Sequence, residues 1–590
     1  ATFRLPQCGS ISEKTERRID FRRYGGYLKD NYFSNRLNFE VNMQKNKFRL
    51  SYPGMVPDDK CRRFVPPVRL VRECGNVRNA ARLLNRVNIQ SFCSFSPDPC
   101  VIPPGGELLL DFGIELHGQL TVNSDAMQCS ALKVTFGESV SEALGTPTTD
   151  HAPHQELLTI PMLGQVNFGN TAFRFVRLEV PADRPEVKLT GVCATAIYRD
   201  WEYVGYFDSD DERLNRIWHT GAYTVHLNCQ DYIYDGVKRD RLVWMGDLYP
   251  EIRTLLAVFE DTELIEKSLD FVRDRTPRDK WMNTASSYSC WWIICLRDFY
   301  RARGNYFYLK SQKAELFALL NRLLACIAPD GSEALTEWRF LDWSTAEDDA
   351  AKHAGLQGLL AWTLDSGAEL ALELNHPRLA RRCAAGAARL RTVAPECGGN
   401  KIAAAMQILG KVADPARLNA EVMRHEPARG ISTFYGYFVL LARAHAGDLG
   451  GALDVIRDYW GAMLDFGATT FWEDFDLDWT ENAYGIDRLP VPGKQDIHGD
   501  FGKHCYRGLR HSLCHGWAGG PTAFLSEHVL GVTPAAPGYA AARISPALPG
   551  LTRVEGAVPT PFGPIEVSAR AVGNRIRKSV KLPGEIRELR

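Results

Sequence analysis

The spacing of apolar residues changes twice along this chain of 590 residues. Up to about residue 200, segments such as 101–122 and 172–180 alternate apolar and polar residues, which is typical of half-buried antiparallel strands. Between about residues 208 and 530, stretches such as SCWWIICLRDFYRARG and AELFALLNRLLACIA place apolar residues at helical spacing. From about residue 532, short strand-like runs return between glycines and prolines. The chain is therefore predicted to run from β to α and back to β.

This order predicts a multidomain, mainly α-helical protein, because a chain of this length exceeds one compact core. Many helices with no strand between them indicate an all-α domain, and a ring of paired helices suits its size. The earlier strands predict a β-sandwich and the later ones a compact β-domain. We expect the domains to cover residues 1–203, 204–531 and 532–590. Residues 76–88 fit either a helix or a strand, and Ser209 is a candidate N-cap of the first long helix.

The charge balance argues against two classes of partner. The formal net charge is -1 and no basic face is clustered, so neither nucleic acid nor an anionic membrane surface is expected to bind.

No segment reaches 18 uninterrupted apolar residues, so no transmembrane helix is expected. The first residues lack an apolar signal core and a Met, so either a signal was removed or the sequence begins downstream. The compartment, periplasmic or secreted as against cytoplasmic, and the oligomeric state both stay open.

The 15 cysteines are scattered, with no CxxC motif, so a structural zinc site is not expected. Cys93 and Cys100 bracket a stretch rich in serine and proline, and they could form a disulfide in an oxidising compartment. Buried, reduced thiols are the favoured interpretation of the set as a whole.

The densest polar and aromatic segment is DGVKRDRLVWMGD, residues 235–247. Three Asp, two Arg and one Lys in so short a segment are costly to bury unless they are paired or functional. The segment follows one predicted helix and precedes another that begins near Asp247, so we expect a loop at the mouth of the helical ring. An ion-paired connector whose arginines cap helix ends fits the local chemistry equally well.

A second cluster is GATTFWEDFDLDW, residues 467–479. Glu473 follows Trp472 and has acidic neighbours, and either a hydrophobic wall or like charges would raise a carboxyl pKa towards that of a general acid or base. The alternative is a solvated acidic loop. Glycoside hydrolysis needs two carboxyl groups on opposite sides of the scissile bond. The two clusters supply such a pair if the helical ring brings them together.

The first cluster resembles the signature of the α-L-rhamnosidases of glycoside hydrolase family 78, approximately D-C-P-x-R-[DE]-R-x-G-W-x-G-D. GATTFWE resembles the Thr-rich run that ends at the family's general base, and HSLCHGWAGGP resembles its segment with a sugar-binding histidine. The resemblance implies an (α/α)6 barrel catalytic domain with an N-terminal β-sandwich and a small C-terminal β-domain. It implies Asp240 as general acid and Glu473 as general base. The sugar-contacting residues would be Asp235, Arg239, Trp244, Asp247 and His515.

The segment departs from the family pattern in three ways. Gly-Val replaces Cys-Pro after the first Asp, which changes the stiffness of the loop, and Val243 replaces a Gly. Asp240 stands where many relatives have Glu. Its side chain is shorter by one methylene, about 1.5 Å of reach. Either the loop lies closer to the glycosidic oxygen, or the acid role is altered or lost.

The implied reaction is removal of a terminal α-L-rhamnose by single displacement with inversion. Asp240 would protonate the departing oxygen while Glu473 deprotonates a water on the opposite face, which needs carboxyl groups about 6.5–9.5 Å apart. Trp292 and Trp343 would add apolar walls beside Trp244, although core packing is as good an explanation for each. No metal and no organic cofactor is required, and the expected ligand is a carbohydrate substrate.

Two alternatives remain open from the sequence. A hydrolase or lyase for another deoxy-sugar or a uronic acid could use the same barrel, and a lyase would need a Tyr, His or Lys base near an arginine or metal. The candidate residues for that chemistry are His504, Tyr506, Arg507, His511 and His515. The second alternative is a catalytically inactive sugar-binding protein, which the shorter acid at Asp240 supports.

Overall fold

The computed structural model describes residues 58–90, 96–147, 153–504 and 506–589. The chain from Lys60 onwards forms one compact unit. Cys93 lies outside the described residues, so the disulfide with Cys100 stays a prediction. The cysteines that the structure does describe are unpaired by disulfides, and most of them are buried. Within these residues, no helix has the length and apolar character needed to cross a bilayer.

The first region is an antiparallel sheet of eight strands. Its strands are β1 (Lys60–Val65), β2 (Arg69–Cys74), β3 (Cys100–Ile102), β4 (Glu107–Ser124), β5 (Ser130–Gly137), β6 (His154–Ile160), β7 (Gln165–Glu179) and β8 (Val187–Arg199). The strand order is β1-β8-β4-β7-β5-β6, and β2 and β3 attach to β4 and β8. The undecided segment 76–88 contains only a short 3-10 turn, Ala80–Leu83.

The long strand β4 explains how one sheet encloses a core. Its first half pairs with β2 and its second half with β8, and the register with β7 shifts between Asp111 and Leu116. Such irregularities bend a strand and increase its twist. Apolar side chains from strands β3 to β8 then meet in a single buried cluster. A short helix α1 (Val140–Leu144) follows β5 and, capped by Ser139, faces the helical region.

The second region is helical. Its helices are α2 (Glu212–Asn228), α3 (Leu248–Val258), α4 (Glu263–Arg275), α5 (Ser286–Arg303), α6 (Tyr306–Ser311), α7 (Lys313–Leu324), α8 (Asp349–Glu373), α9 (Pro377–Leu390), α10 (Lys401–Leu409), α11 (Pro415–Leu418), α12 (Gly436–His445), α13 (Leu449–Val455), α14 (Gly461–Asp465) and α15 (Gly520–Phe524). Six of them, α3, α5, α8, α10, α12 and α15, contact one another in that order and close into an inner ring. The other long helices pack outside this ring.

The sequence accounts for the inner and outer positions. Helix α5 is buried along almost its whole length and apolar on most of its surface, as expected for a helix covered on both sides. The outer helix α9 is strongly amphipathic, with alanine and leucine on its inner face and arginine outside. The predicted N-cap Ser209 is wrong: Asp211 caps α2, and its carboxylate accepts from the backbone N–H groups of Arg213 and Leu214. Ser209 instead ends a strand.

Between α14 and α15, the short strands β10 (Ala483–Tyr484) and β11 (Gln495–Asp496) pair parallel. The third region consists of two small sheets. Strands β12 (Val532–Pro534), β13 (Ala541–Ile544) and β17 (Arg587–Leu589) form one. The other contains β14 (Arg553–Val558), β15 (Ile565–Val572) and β16 (Arg575–Lys581). Its edge is completed by β9 (Tyr206–Ser209), which precedes the helical ring in sequence and pairs antiparallel with β14. The order of sheet, helical ring and sheet agrees with the predicted fold class, and the boundaries 1–203, 204–531 and 532–590 stay a prediction.

Candidate active site

Residues 235–247 form the loop between α2 and α3, and Asp235 fixes its shape. The Asp235 N–H donates to the Leu242 carbonyl over 3.0 Å, and the Asp235 carboxylate accepts from the Leu242 N–H over 2.9 Å. The chain must therefore reverse between these residues. Asp240 and Arg241 take the turn with φ of 58° and 52°. Left-handed backbone costs a residue with a side chain on the order of 1–3 kcal/mol, a strain that clusters at functional sites.

Arg239 joins the two clusters that were identified in the sequence. Its Nη1 donates to Asp240 Oδ1 over 2.9 Å, and its Nη2 donates to Glu473 Oε2 over 2.8 Å. Its Nε donates to the Arg510 carbonyl, and the guanidinium lies over the ring of Tyr506. Burial opposes the charged form of Arg239, but the two carboxylates raise its pKa above the usual value. Because Nη1 and Nη2 share one carbon, the two bonded carboxylate oxygens are at most about 8 Å apart.

Glu473 is held by backbone and side-chain groups in addition to Arg239. Its side chain is only 2% exposed, and Oε2 accepts from the Ser512 N–H over 2.8 Å. The Glu473 N–H donates to the Ser512 carbonyl, so two short segments pair across the site. The Glu473 carbonyl accepts from the Thr433 hydroxyl and from the indole N–H of Trp517. The alternative of a solvated acidic loop does not describe this residue.

Three further titratable groups form a cluster that reaches Glu473 through His515. His515 Nε2 lies 3.2 Å from Asp247 Oδ1, and His515 Nδ1 lies 3.5 Å from Glu473 Oε1. Burial raises the pKa of Asp247, and it raises the pKa of Asp235 well above the usual value. Burial disfavours the charged ring of His515, yet the carboxylates around it raise its pKa overall. The cluster therefore offers both donors and acceptors to a polar ligand at neutral pH.

A cavity of about 140 Å³ opens above this cluster. Its polar lining includes Asp235, Arg239, Asp240, Asp247 and His515. Its aromatic lining is formed by Trp244, Tyr288, Trp338, Phe340, Trp343, Tyr506 and Trp517. An adjoining cavity of about 400 Å³ has Glu473 on its wall and shares three of these aromatic rings. Aromatic faces beside paired carboxylates and donors suit a ring that carries both C–H faces and hydroxyls.

The structure brings together all the predicted site residues except Trp292. That side chain is fully buried, and its indole N–H donates to the Leu269 carbonyl inside the helical core. The prediction that Trp292 lines the site is therefore wrong, because its position on α5 faces α4 and not the mouth of the ring. Trp343 lies at the cavity, where its indole N–H donates to the Tyr506 hydroxyl over 3.1 Å.

Sequence reasoning gave Tyr506 no part in the rhamnosidase site. It named Tyr506 only as a base for the lyase alternative, and no local motif marks its contact with Arg239. Of the other lyase candidates, His511 is fully buried, its ring contacts His498 and Trp479, and burial lowers its pKa to about 3. Among the described residues, the acidic and histidine side chains Glu138, Glu142 and His498 are close enough to hold a metal ion, but the ammonium of Lys238 already lies between the two carboxylates.

The fold and the site define the class to which the chain is similar. Residues 202–393 match the family model of the bacterial alpha-L-rhamnosidase 6 hairpin glycosidase domain. Residues 531–587 match the bacterial alpha-L-rhamnosidase C-terminal domain. The resemblance to the α-L-rhamnosidases of glycoside hydrolase family 78 is thereby confirmed, as is the fold of an (α/α)6 barrel with a β-domain on each side. Glu473 and His515 lie between the two matched segments.

Solved structures of rhamnosidases share this fold. The GH78 family rhamnosidase of Bacillus sp. GL1 is 23% identical, with a TM-score of 0.68 over 86% of this chain and 56% of that chain. The rhamnosidase from Klebsiella oxytoca with rhamnose bound is 21% identical, with a TM-score of 0.64 over 79% of this chain and 96% of that one. The chain thus spans little more than half the length of the Bacillus protein. No curated protein matches the sequence.

Proposed function

We propose that this chain is an α-L-rhamnosidase that removes terminal α-L-rhamnose from an oligosaccharide, polysaccharide or glycoside by inverting single displacement. One observation carries the proposal. Asp240 and Glu473, encoded 233 residues apart, are bound to two nitrogens of one guanidinium at a cavity lined by the other polar residues of the signature. The names of the matched domains and of the similar structures support rhamnose as the sugar.

Each carboxyl group has a distinct role in the proposal. Glu473 is the general base, because its carboxylate lies on the wall of the adjoining cavity and is held in one orientation by Arg239 and the Ser512 N–H. Asp240 is the general acid at the more open side of the cavity, with a side chain 36% exposed. In this role Asp240 turns from Arg239 to the glycosidic oxygen when the sugar binds.

The remaining cluster orients the sugar ring. Asp235, Asp247 and His515 are fixed by one another and by backbone, so they present hydrogen-bonding atoms without further ordering. Hydrogen bonds to charged groups contribute about 1.5–3 kcal/mol each, which is sufficient to select one ring orientation. Trp244 and Trp343 supply apolar faces on the walls of the same cavity.

The test is a panel of aryl glycosides of α-L-rhamnose, α-L-arabinose and β-glucuronic acid, followed by proton NMR of the first product. We expect turnover of the α-L-rhamnoside with initial release of the β-anomer. The limit of about 8 Å between the two oxygens admits an inverting pair at about 6.5–9.5 Å and also a retaining pair at about 5–5.5 Å, so the product anomer decides the mechanism. An α-anomer would overturn inversion, and absence of rhamnoside turnover would overturn the proposed function.

A further inference from the structure

The N-terminal sheet contributes two fully buried glutamates to the edge of the active site. Glu138 follows β5 directly, and Glu142 lies one turn further on, in α1. Neither side chain is more than 2% exposed. Both point into the helical region, where Lys238 of the signature loop lies between them, 2.9 Å from Glu138 and 3.1 Å from Glu142.

Glu138 also holds the segment that carries the partner of the proposed base. Its Oε2 accepts from the Leu513 N–H over 2.7 Å, and its Oε1 accepts from the Ser512 hydroxyl over 3.1 Å. The Ser512 N–H in turn donates to Glu473 Oε2. Ser512 therefore links the carboxylate of Glu138 in the sheet region to the carboxylate of Glu473, which would activate water.

Lys238 ties the same segment to the signature loop. Its ammonium donates to the carbonyls of Leu509 and His511 over 3.0 and 2.9 Å, in addition to the two glutamates. The next residue in the chain is Arg239, which contacts both Asp240 and Glu473. The buried cation thus fixes the distance between the loop with Arg239 and the segment with Ser512.

We infer that Glu138 and Lys238 are positioning residues of the active site, through which the N-terminal sheet sets the orientation of Glu473 and Arg239. The inference rests on the proposed function for its kinetic test. Burying three charged groups is unfavourable unless their hydrogen bonds are complete, and replacing such a cluster by apolar residues is often neutral or stabilising. A buried cluster of this kind is therefore weak evidence for a role in stability, whereas its contacts fix two segments of the site.

A second buried cluster provides a matched control. Arg253 of α3 pairs with Asp298 of α5 and with Glu527, which follows α15, over 2.9 and 2.5 Å. It likewise places one cation between two carboxylates, with Arg297 as a further partner of Asp298, and it holds three helical segments together. None of its members lines the sugar cavity.

The experiment compares Glu138→Gln, Glu138→Leu and Lys238→Met with Glu527→Gln in the full chain. We expect all four to lower the melting temperature, but only the first three to lower kcat on an aryl α-L-rhamnoside, by about tenfold or more, with KM changed less than about threefold. Such a split reports an interaction made only in the transition state. Glu138→Gln, which keeps an acceptor for Leu513, should lose less activity than Glu138→Leu. Equal kcat values in Glu138→Leu and Glu527→Gln would overturn the inference.

One further measurement separates this inference from the proposed function. A crystal structure of Glu138→Leu should show Ser512 N beyond about 3.5 Å from Glu473, outside hydrogen-bond range. An unchanged contact would overturn the inference even if the wild type proves inactive on rhamnosides.

Discussion

The two carboxyl groups proposed for catalysis lie in opposite environments. Glu473 is buried and bound by Arg239 and the Ser512 N–H, with its own backbone paired to the neighbouring segment. Asp240 is half-exposed, lies on left-handed backbone and has one ion pair, to Arg239. The proposed base is thus held by several groups, whereas the proposed acid is ion-paired to Arg239 and open to the cavity. Preorganisation of this kind costs no further ordering when the reaction occurs.

The largest effect should come from removing the fixed carboxylate. In Glu473→Gln, we expect kcat on an aryl α-L-rhamnoside to fall about 10³–10⁴-fold, because an amide cannot take the proton from water. Exposed Glu481, close in sequence and 73% exposed, provides the control Glu481→Gln, which should leave kcat unchanged. Retention of more than a tenth of wild-type kcat in Glu473→Gln would show that another residue is the base.

Asp240→Asn should have a smaller effect that depends on the leaving group. For sugar or alkyl leaving groups we expect kcat to fall about 10²–10³-fold, and for nitrophenol about tenfold, because an acidic phenol departs without protonation. Steady-state kinetics over a series of aryl and alkyl rhamnosides measures how the loss of kcat depends on the leaving group. Equal losses across the series would remove Asp240 from the acid role, and Asp240→Glu tests whether the shorter side chain is required.

His515→Gln should weaken sugar binding by about tenfold or more, since a hydrogen bond from a charged group is lost.

The effect of His515→Gln on the stability of the fold should depend on pH. The folded-state pKa of His515 is raised, so its contribution is fully present below the unfolded value of about 6.5 and is lost as pH rises through the folded pKa. Thermal unfolding from pH 5 to 8 should show the advantage of wild type over the variant shrinking with pH. An advantage that grows with pH would contradict this assignment.

The smallest catalytic effect is expected at Trp292. Trp292→Phe removes core volume and the hydrogen bond to Leu269. The free energy of unfolding should therefore fall by about 1–3 kcal/mol, and the melting temperature should fall with it. KM and kcat on rhamnosides should stay within about twofold of wild type. Trp343→Phe is the matched comparison, because Trp343 lines the cavity and its change should raise KM. A rise in KM of the same size for Trp292→Phe would show that Trp292 does contribute to sugar binding.

Much of the fold could be predicted because it depends on periodicity. The change from a period of two to helical spacing near residue 208 and back near 532 marks the N-terminal sheet, the ring and the two small C-terminal sheets. Cap residues were harder to predict: Ser209 and Asp211 are both good caps, and only the pairing of β9 with β14 places Ser209 in a strand. Long-range pairing of this kind leaves no local signal.

The residues of the candidate site also divide into those that a local motif marks and those that meet only in the folded chain. Asp235, Arg239, Asp240 and Asp247 could be predicted because they share one short loop with a recognisable pattern. Trp292 could not be placed correctly, since a tryptophan on a helix can face the core or the mouth of the ring depending on packing. The contacts of Lys238 with the sheet were not predicted, because Glu138 and Glu142 carry no motif and meet it only in the folded chain.

The pairing of β9 with β14 has a consequence for how the protein can be cut or assembled. Residues 206–209 are synthesised before the helical ring, yet their partner strand β14 comes more than 340 residues later in the chain than β9. A truncated chain that ends near residue 531 would leave β9 with an open edge, and unpaired strand edges promote aggregation. Expression of the ring as an isolated catalytic fragment should therefore require removal of β9 as well, or supply of the last sixty residues as a separate polypeptide.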